Sequence, residues 1–208
     1  MFKFVINHRL GKARTGQIIT SHGKIATPAF VPVATQATVK ALTSKQLEEI
    51  GFEAALCNTY HLYLRPGADI VKKMGGLQKF MAWNKPVFTD SGGFQVFSLK
   101  DGLCAVNDDC VTFKSHIDAS KHIFTPESSM QIQRKLGADM IFAFDECLDI
   151  NADYETTKKS LERTHRWAER SLKEVKKLNK KEQNKNKKQA LYGIVQGGRF
   201  LDLRKESA

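Results

Sequence analysis

From Pro28 onward, short apolar runs alternate with stretches of helical periodicity, and this rhythm restricts the fold more than any other feature of the chain. Runs that are apolar on both faces suit strands covered by helices, and their alternation with helices is the pattern of βα units joined in a parallel sheet. Four runs read as buried strands, Ala29 to Val33, Ala54 to Cys57, Val87 to Thr89 and Met140 to Phe144, with a fifth at Leu191 to Val195. The helix starts are legible too. Thr43-Ser44-Lys45-Gln46 has the form of a capping box, and Thr125-Pro126-Glu127 offers an N-cap, a first-turn proline and an acidic first turn. Gly51 and Gly137 are placed to close those two helices. A long helix is expected from about Tyr154 to Lys180, with Leu161, His165, Ala168, Leu172 and Val175 on its inner face.

The first 28 residues have a different texture. Phe2 to Ile6, Gln17 to Thr20 and Lys24 to Ile25 are β-prone and separated by turn residues, which predicts a small antiparallel layer. A further hairpin is expected where Leu103 to Val106 and Cys110 to Phe113 flank Asn107-Asp108-Asp109, as an insertion on the rim. The domain division is thus an N-terminal layer over 1–28 and a βα region over 29–208.

With 208 residues, 41% of them hydrophobic, the chain can build one sizeable core. No run approaches the roughly 18 apolar residues of a membrane span, and the N-terminus lacks a signal-peptide pattern, so the expectation is a cytoplasmic protein without a membrane partner. Cys57, Cys104, Cys110 and Cys147 form no C-x-x-C pair, which argues for free thiols and against a zinc knuckle or redox dithiol. The net charge of +11 suits a polyanionic partner. Lys176, Lys177, Lys180, Lys181, Lys185, Lys187 and Lys188 stand against Glu182 alone, a cluster that reads either as a solvated helix end or as a phosphate-contacting patch.

Three strand candidates run into polar residues on flexible turns: Thr89 into Asp90-Ser91-Gly92-Gly93, Phe144 into Asp145-Glu146, and Val195 into Gln196-Gly197-Gly198. Ligands of α/β folds bind at the carboxyl ends of parallel strands, so two carboxylates and an amide are expected at one mouth. Each alone could be a helix cap or a tight turn. Together they suit a purine. A carboxylate at Asp145 can accept two N–H bonds from a base edge, the Gln196 amide can donate to a carbonyl, and Phe94 can stack on the ring.

The runs Leu56-Cys57-Asn58-Thr59-Tyr60-His61-Leu62, Thr89-Asp90-Ser91-Gly92-Gly93-Phe94-Gln95-Val96, Phe142-Ala143-Phe144-Asp145-Glu146-Cys147 and Tyr192-Gly193-Ile194-Val195-Gln196-Gly197-Gly198 occur in this order. They resemble the tRNA-guanine transglycosylase (queuine tRNA-ribosyltransferase) family, over about Pro28 to Ala208. The resemblance implies an α/β fold, a (β/α)8 TIM barrel preceded by the antiparallel layer. It further implies a double displacement in which the wobble guanine of tRNA is exchanged for a 7-deazaguanine. By position, Asp90 matches the family's general acid/base, Asp145 and Gln196 its base-edge readers, Phe94 its stacking aromatic and Asn58 a pocket asparagine. Gly197 falls in the base-binding turn, and Val33 and Cys147 look like the bacterial pocket that accepts preQ1. Phe94 departs from the tyrosine often found there and loses only a hydroxyl.

Implied partners are the tRNA anticodon loop and guanine or preQ1, and the resemblance allows a homodimer of the full-length protein. A full (β/α)8 barrel takes about 250 residues. The chain is therefore expected to be a truncated fragment, inactive by itself, with the nucleophilic aspartate and a structural zinc site beyond Ala208 and no cofactor of its own. Two alternatives stay open: a non-catalytic tRNA-binding or accessory subunit, and an unrelated hydrolase using Asp90 and Asp145 as paired carboxylates.

Overall fold

The computed structural model describes residues 2–98, 104–182 and 188–208. In chain order the elements are β1 (Lys3–Leu10), β2 (Ala13–Thr20), β3 (Gly23–Thr27), α1 (Ser44–Ile50), β4 (Ala55–Cys57), α2 (Thr59–Leu64), α3 (Ala68–Lys73), α4 (Leu77–Phe80), β5 (Val87–Thr89) and α5 (Gly93–Ser98). They continue with β6 (Cys104–Val106), β7 (Val111–Lys114), β8 (Lys121–Phe124), α6 (Pro126–Leu136), β9 (Met140–Phe142), α7 (Tyr154–Lys181), β10 (Ala190–Tyr192) and α8 (Leu201–Ser207).

Strands β1, β2 and β3 form the expected antiparallel layer, with longer strands than the β-prone runs suggested. The central sheet has the order β10-β9-β5-β4, with every neighbouring pair parallel. This is a mixed α/β architecture whose parallel strands are separated by helices. The expected strand over Ala29 to Val33 does not form. Only Val33 bridges to Leu56 in parallel, where Leu56 N donates to Pro32 O at 2.9 Å and Ala34 N donates to Leu56 O at 2.6 Å. Pro28 and Pro32 have no N–H for a ladder, so the run stays extended without becoming a strand.

The rim hairpin exists as β6 and β7, with Leu103 outside the described residues, and a third strand, β8, joins it. The sequence reading missed β8 because Lys121-His122-Ile123-Phe124 is short and sits directly before the α6 cap. A line of rings ties this sheet to the interior. Tyr60 meets Phe113 at 5.5 Å, Phe113 meets Phe124 at 5.0 Å, Phe124 meets Phe144 at 6.1 Å, and Phe144 stacks on Trp167 at 5.0 Å. All five rings are buried, and contacts of this kind add about 0.5–1.5 kcal/mol each to the burial itself.

The expected capping box of α1 forms, and the expected Thr125 N-cap of α6 is part of a second one. Thr43 Oγ1 accepts from Gln46 N while Thr43 N donates to Gln46 Oε1, and Thr125 and Ser128 do the same for α6. Gly51 and Gly137 close α1 and α6 in the left-handed conformation.

Helix α7 covers the expected span, and Leu161 and Val175 of its expected inner face are buried, but the rest of that face is not. Leu172 is exposed and His165 and Ala168 only half-buried, whereas Ser160, Thr164, Trp167 and Ser171 point inward. The reason is the loop that follows β9. Its backbone leaves the sheet and needs hydrogen-bond partners, and α7 supplies them: Phe144 N donates to Ser171 Oγ, Glu146 N to Thr164 Oγ1, and Ser160 Oγ donates to Glu146 O. Satisfying those groups outweighs burying Leu172. At the end of α7, Lys176, Lys177 and Lys180 are exposed, and Lys177 Nζ pairs with Glu174 at 3.2 Å. Lys185 and Lys187 lie outside the described residues, as does the Lys181 side chain.

The N-terminal layer is held to the central sheet by Asp139, just before β9. Its Oδ1 accepts from Ser21 Oγ at 3.0 Å and lies 2.7 Å from His22 Nδ1, while Oδ2 accepts from Gln78 Nε2 and Val87 N, both at 3.1 Å. The hydrogen bond to Asp139 raises the His22 pKa, against the lowering effect of burial. A histidine whose folded pKa is raised contributes its stabilisation fully below its ordinary value of about 6.5 and loses it as pH rises through the folded value. His22→Gln is therefore expected to cost more stability at pH 5.5 than at pH 8.5, as read by denaturant unfolding at the two pH values; an equal cost would show that the ring acts through packing alone.

Candidate functional site

Four polar residues stand at the carboxyl ends of the four parallel strands. Asn58 follows β4, Asp90 follows β5, Asp145 follows β9 by three residues, and Gln196 follows β10 by four. Since β10, β9, β5 and β4 are consecutive neighbours, these side chains meet along one edge of the sheet.

Asp90 is fixed by four N–H donors. Its Oδ1 accepts from Thr59 N at 2.8 Å and Gly92 N at 3.2 Å, and its Oδ2 from Asn58 Nδ2 at 2.5 Å and Gln95 Nε2 at 2.9 Å. Thr59 Oγ1 also donates to the Asp90 carbonyl. Both carboxylate oxygens are thus held from two sides, one by the start of α2 and one by the turn into α5. The Gln95 Oε1 atom is buried and accepts no hydrogen bond, which leaves an acceptor beside Asp90. Beneath them the Cys57 thiol is pushed up to about 12 by burial and by the charge of Asp90, so it is an inert core group.

Asp145 is buried and bonded at both oxygens. Ser91 Oγ donates to Oδ1 and Gln196 Nε2 to Oδ2, each at 2.8 Å. Burial is the main cause that raises its pKa to about 6; Asp90 adds to the rise, and Ser91 and Gln196 oppose it. Ser91 follows Asp90 in the chain, so the two carboxylates are linked through one residue of the Gly-Gly turn. Helix α6 braces that turn from behind. Ser129 Oγ donates to Ser91 O at 2.7 Å, and the buried Gln133 accepts from Thr89 Oγ1 at 2.9 Å and from Phe142 N at 3.1 Å.

Asp90, Asn58, Asp145 and Gln196 therefore form two connected hydrogen-bonded clusters. The other expected site residues take their places by chain proximity. Phe94 is 62% exposed on the first turn of α5. Val33, 52% exposed, bridges to Leu56 on the strand that delivers Asn58. Cys147 is half-buried two residues beyond Asp145. Gly197 has a positive φ of 109°, and a Cβ there would come within 2.6 Å of Arg204 N on α8. Close packing against α8 explains that glycine without any ligand.

The sequence reading gave no role to Thr59, Ser91 or Gln95, although all three lie inside the runs it singled out. Gln133 and Ser129 carried no signal, being ordinary polar residues within a helix. The pair of buried Glu146 and half-buried Arg163, at 2.5 Å, also went unnoticed; Asp108 of the β6–β7 turn joins it at 3.1 Å from Arg163 Nε. Among the described residues no three His, Cys, Asp or Glu side chains converge as metal ligands. No helix among the described residues is long and apolar enough to cross a membrane.

The family model described as queuine tRNA-ribosyltransferase matches residues 9–208. Proteins named queuine tRNA-ribosyltransferase are similar along the whole length: that of Herpetosiphon aurantiacus is 55% identical over 207 residues, covering 100% of this chain and 50% of the relative. The Acetivibrio thermocellus protein is 55% identical, covering 94% of this chain and 50% of its own length. The Koribacter versatilis protein is 51% identical, covering 100% and 55%. The chain spans about half the length of the curated relatives it matches.

Proposed function

The chain belongs to the queuine tRNA-ribosyltransferase family, and on that premise we propose that it carries the base-recognition and proton-transfer half of a tRNA guanine exchange, built on part of a (β/α)8 barrel. The reaction would replace the wobble guanine of a tRNA by a 7-deazaguanine such as preQ1, in the cytoplasm. One observation supports this above the others: the Ser91–Asp145–Gln196 chain lies beside a separately fixed Asp90 at the ends of adjacent parallel strands.

In this reading the base enters edge-on. Its two N–H groups take the place of the Gln196 amide on Asp145, and Gln196 turns to donate to the base carbonyl. Ser91 stays on Asp145 Oδ1 and keeps the carboxylate in plane, while Phe94 covers the ring. The bond between ribose and guanine breaks with its electron pair going to the base, which then needs a proton; the arriving base gives up a proton in the reverse step. Asp90, protonated where the substrate displaces one of its four donors, gives that proton to the departing base and regains one from the arriving base, so it ends the cycle protonated as it began it. The ribose itself is attacked by a nucleophile that the resemblance places outside these residues.

Guanine binding tests the base-reading role. Asparagine at position 145 presents one oxygen and turns a donor toward donors, and such a mismatch costs about 1–3 kcal/mol. Asp145→Asn is expected to weaken guanine binding at least about tenfold in calorimetry. Because only the ionised carboxylate accepts both N–H groups, and its pKa in the free site is about 6, affinity should fall roughly tenfold between pH 7 and pH 5. The variant should lack that pH dependence. Unchanged guanine affinity in Asp145→Asn would make Asp145 a structural cap of its loop.

A further inference from the structure

The outer half of the β1–β2 hairpin has no structural role that accounts for it. Strand β3 ends at Thr27, opposite Gly16, so the pairs His8–Thr15, Arg9–Arg14 and Leu10–Ala13 form a two-stranded ribbon beyond the three-stranded layer. Every residue from Asn7 to Thr15 is exposed. A bare two-stranded ribbon is marginal in water, and like charges directly opposite each other weaken it further. Arg9 and Arg14 nevertheless face each other across it, with Lys12 in the turn.

The charge there is unopposed. Glu48 is the first acidic residue in the sequence, and seven Lys or Arg precede it. Among the described residues, Arg9, Lys12 and Arg14 have no carboxylate partner. The carboxylates that do touch the N-terminal layer lie elsewhere: Asp139 holds the β2–β3 turn at the opposite end, and Glu53 accepts from Ala26 N near the middle. The Arg14 guanidinium lies 5.9 Å from the centre of the Phe4 ring, which limits its freedom while leaving its N–H groups available.

We propose that this ribbon is a phosphate-contacting arm, in which Arg9, Lys12 and Arg14 grip the phosphodiester backbone of the tRNA away from the nucleotide being exchanged. Two opposed guanidinium groups can share one phosphate or take successive ones, and a phosphate between them removes the repulsion that the free ribbon carries. The inference rests on the reading of the protein as a tRNA-modifying enzyme.

The test is the salt dependence of tRNA binding by the full-length protein and its Arg9→Gln, Lys12→Gln, Arg14→Gln triple variant. Each lost phosphate contact lowers the slope of log affinity against log salt by about 0.7–0.9, so the triple variant should show a slope smaller by about two. Its dissociation constant should rise about tenfold or more at roughly 0.1 M salt. Guanine affinity should be the same in both proteins, which checks that the site is intact. Parallel slopes in two proteins that both bind tRNA would overturn the arm and leave the proposed function standing. Failure of the unsubstituted protein to bind tRNA would overturn both. Self-association lost on Leu10→Ser, with tRNA binding unaltered in the triple variant, would assign the ribbon to a protein contact and overturn the proposal.

Discussion

Asp90→Asn in the full-length protein should lower base exchange by about 10²- to 10⁴-fold, the range expected when a positioned proton-transfer group is lost. Guanine affinity should stay within severalfold, because in the proposed reading the base edge meets Asp145 and Gln196, which are bonded to each other in the loops after β9 and β10, and not Asp90. The substitution has a structural cost as well. Asp90 accepts from four N–H groups, and an asparagine would turn its amide toward two of them, whichever way it sits. Exchange rate and guanine affinity measured on the same preparation separate the two effects. Equal losses in both would mean that Asp90 serves to shape the turn and that proton transfer belongs elsewhere.

Gly93→Ala should be nearly as damaging, for a steric reason. The Cβ added there would stand 2.5 Å from the Asp145 carbonyl oxygen, 3.2 Å from Ser91 Oγ and 3.5 Å from Asp145 Oδ1. The carbonyl belongs to a backbone that cannot easily retreat, since Phe144 is packed on Trp167 and Phe144 N is bonded to Ser171. The β5 and β9 loops must then separate, and a displacement of about 1 Å in a positioned site can cost 10²-fold. An exchange rate lowered about 10²-fold is expected, with weaker guanine binding and a stability loss of about 1–3 kcal/mol from overpacking. Gly193→Ala is the matched control: nothing lies within 4 Å of its added Cβ, and it should be silent. If Gly93→Ala binds guanine normally, close approach of the two loops is not what builds the site.

The carboxyl-end placement of Asp90, Asp145 and Gln196 was readable because short apolar runs that end on polar residues in flexible turns mark strand ends in a parallel sheet, whereas Asn58 was singled out by the resemblance alone. The capping box at Thr43, the N-cap at Thr125 and the left-handed closures at Gly51 and Gly137 were readable for a similar reason: they depend on residues within one turn of each other. The failures share one cause. Whether Ala29 to Val33 becomes a strand depends on ladder partners and on two prolines, and which side chains of α7 join Leu161 and Val175 on its inner face depends on the hydrogen-bonding needs of a loop 14 to 27 residues away in the chain.

The sequence by itself determined the parallel α/β character, the helix boundaries set by local caps, the order of the four motifs and the residue types suited to a purine edge. These follow from periodicity and short-range chemistry, in which each residue's partner is a near neighbour. Only the tertiary structure decided that Gln196 lies on Asp145, 51 residues away, that Asn58 and Gln95 clamp Asp90, and that Ser91 links the two clusters. It also decided that Arg9 and Arg14 stand on a ribbon beyond the third strand. Those contacts come from strand order and register, which are set by how the whole core packs.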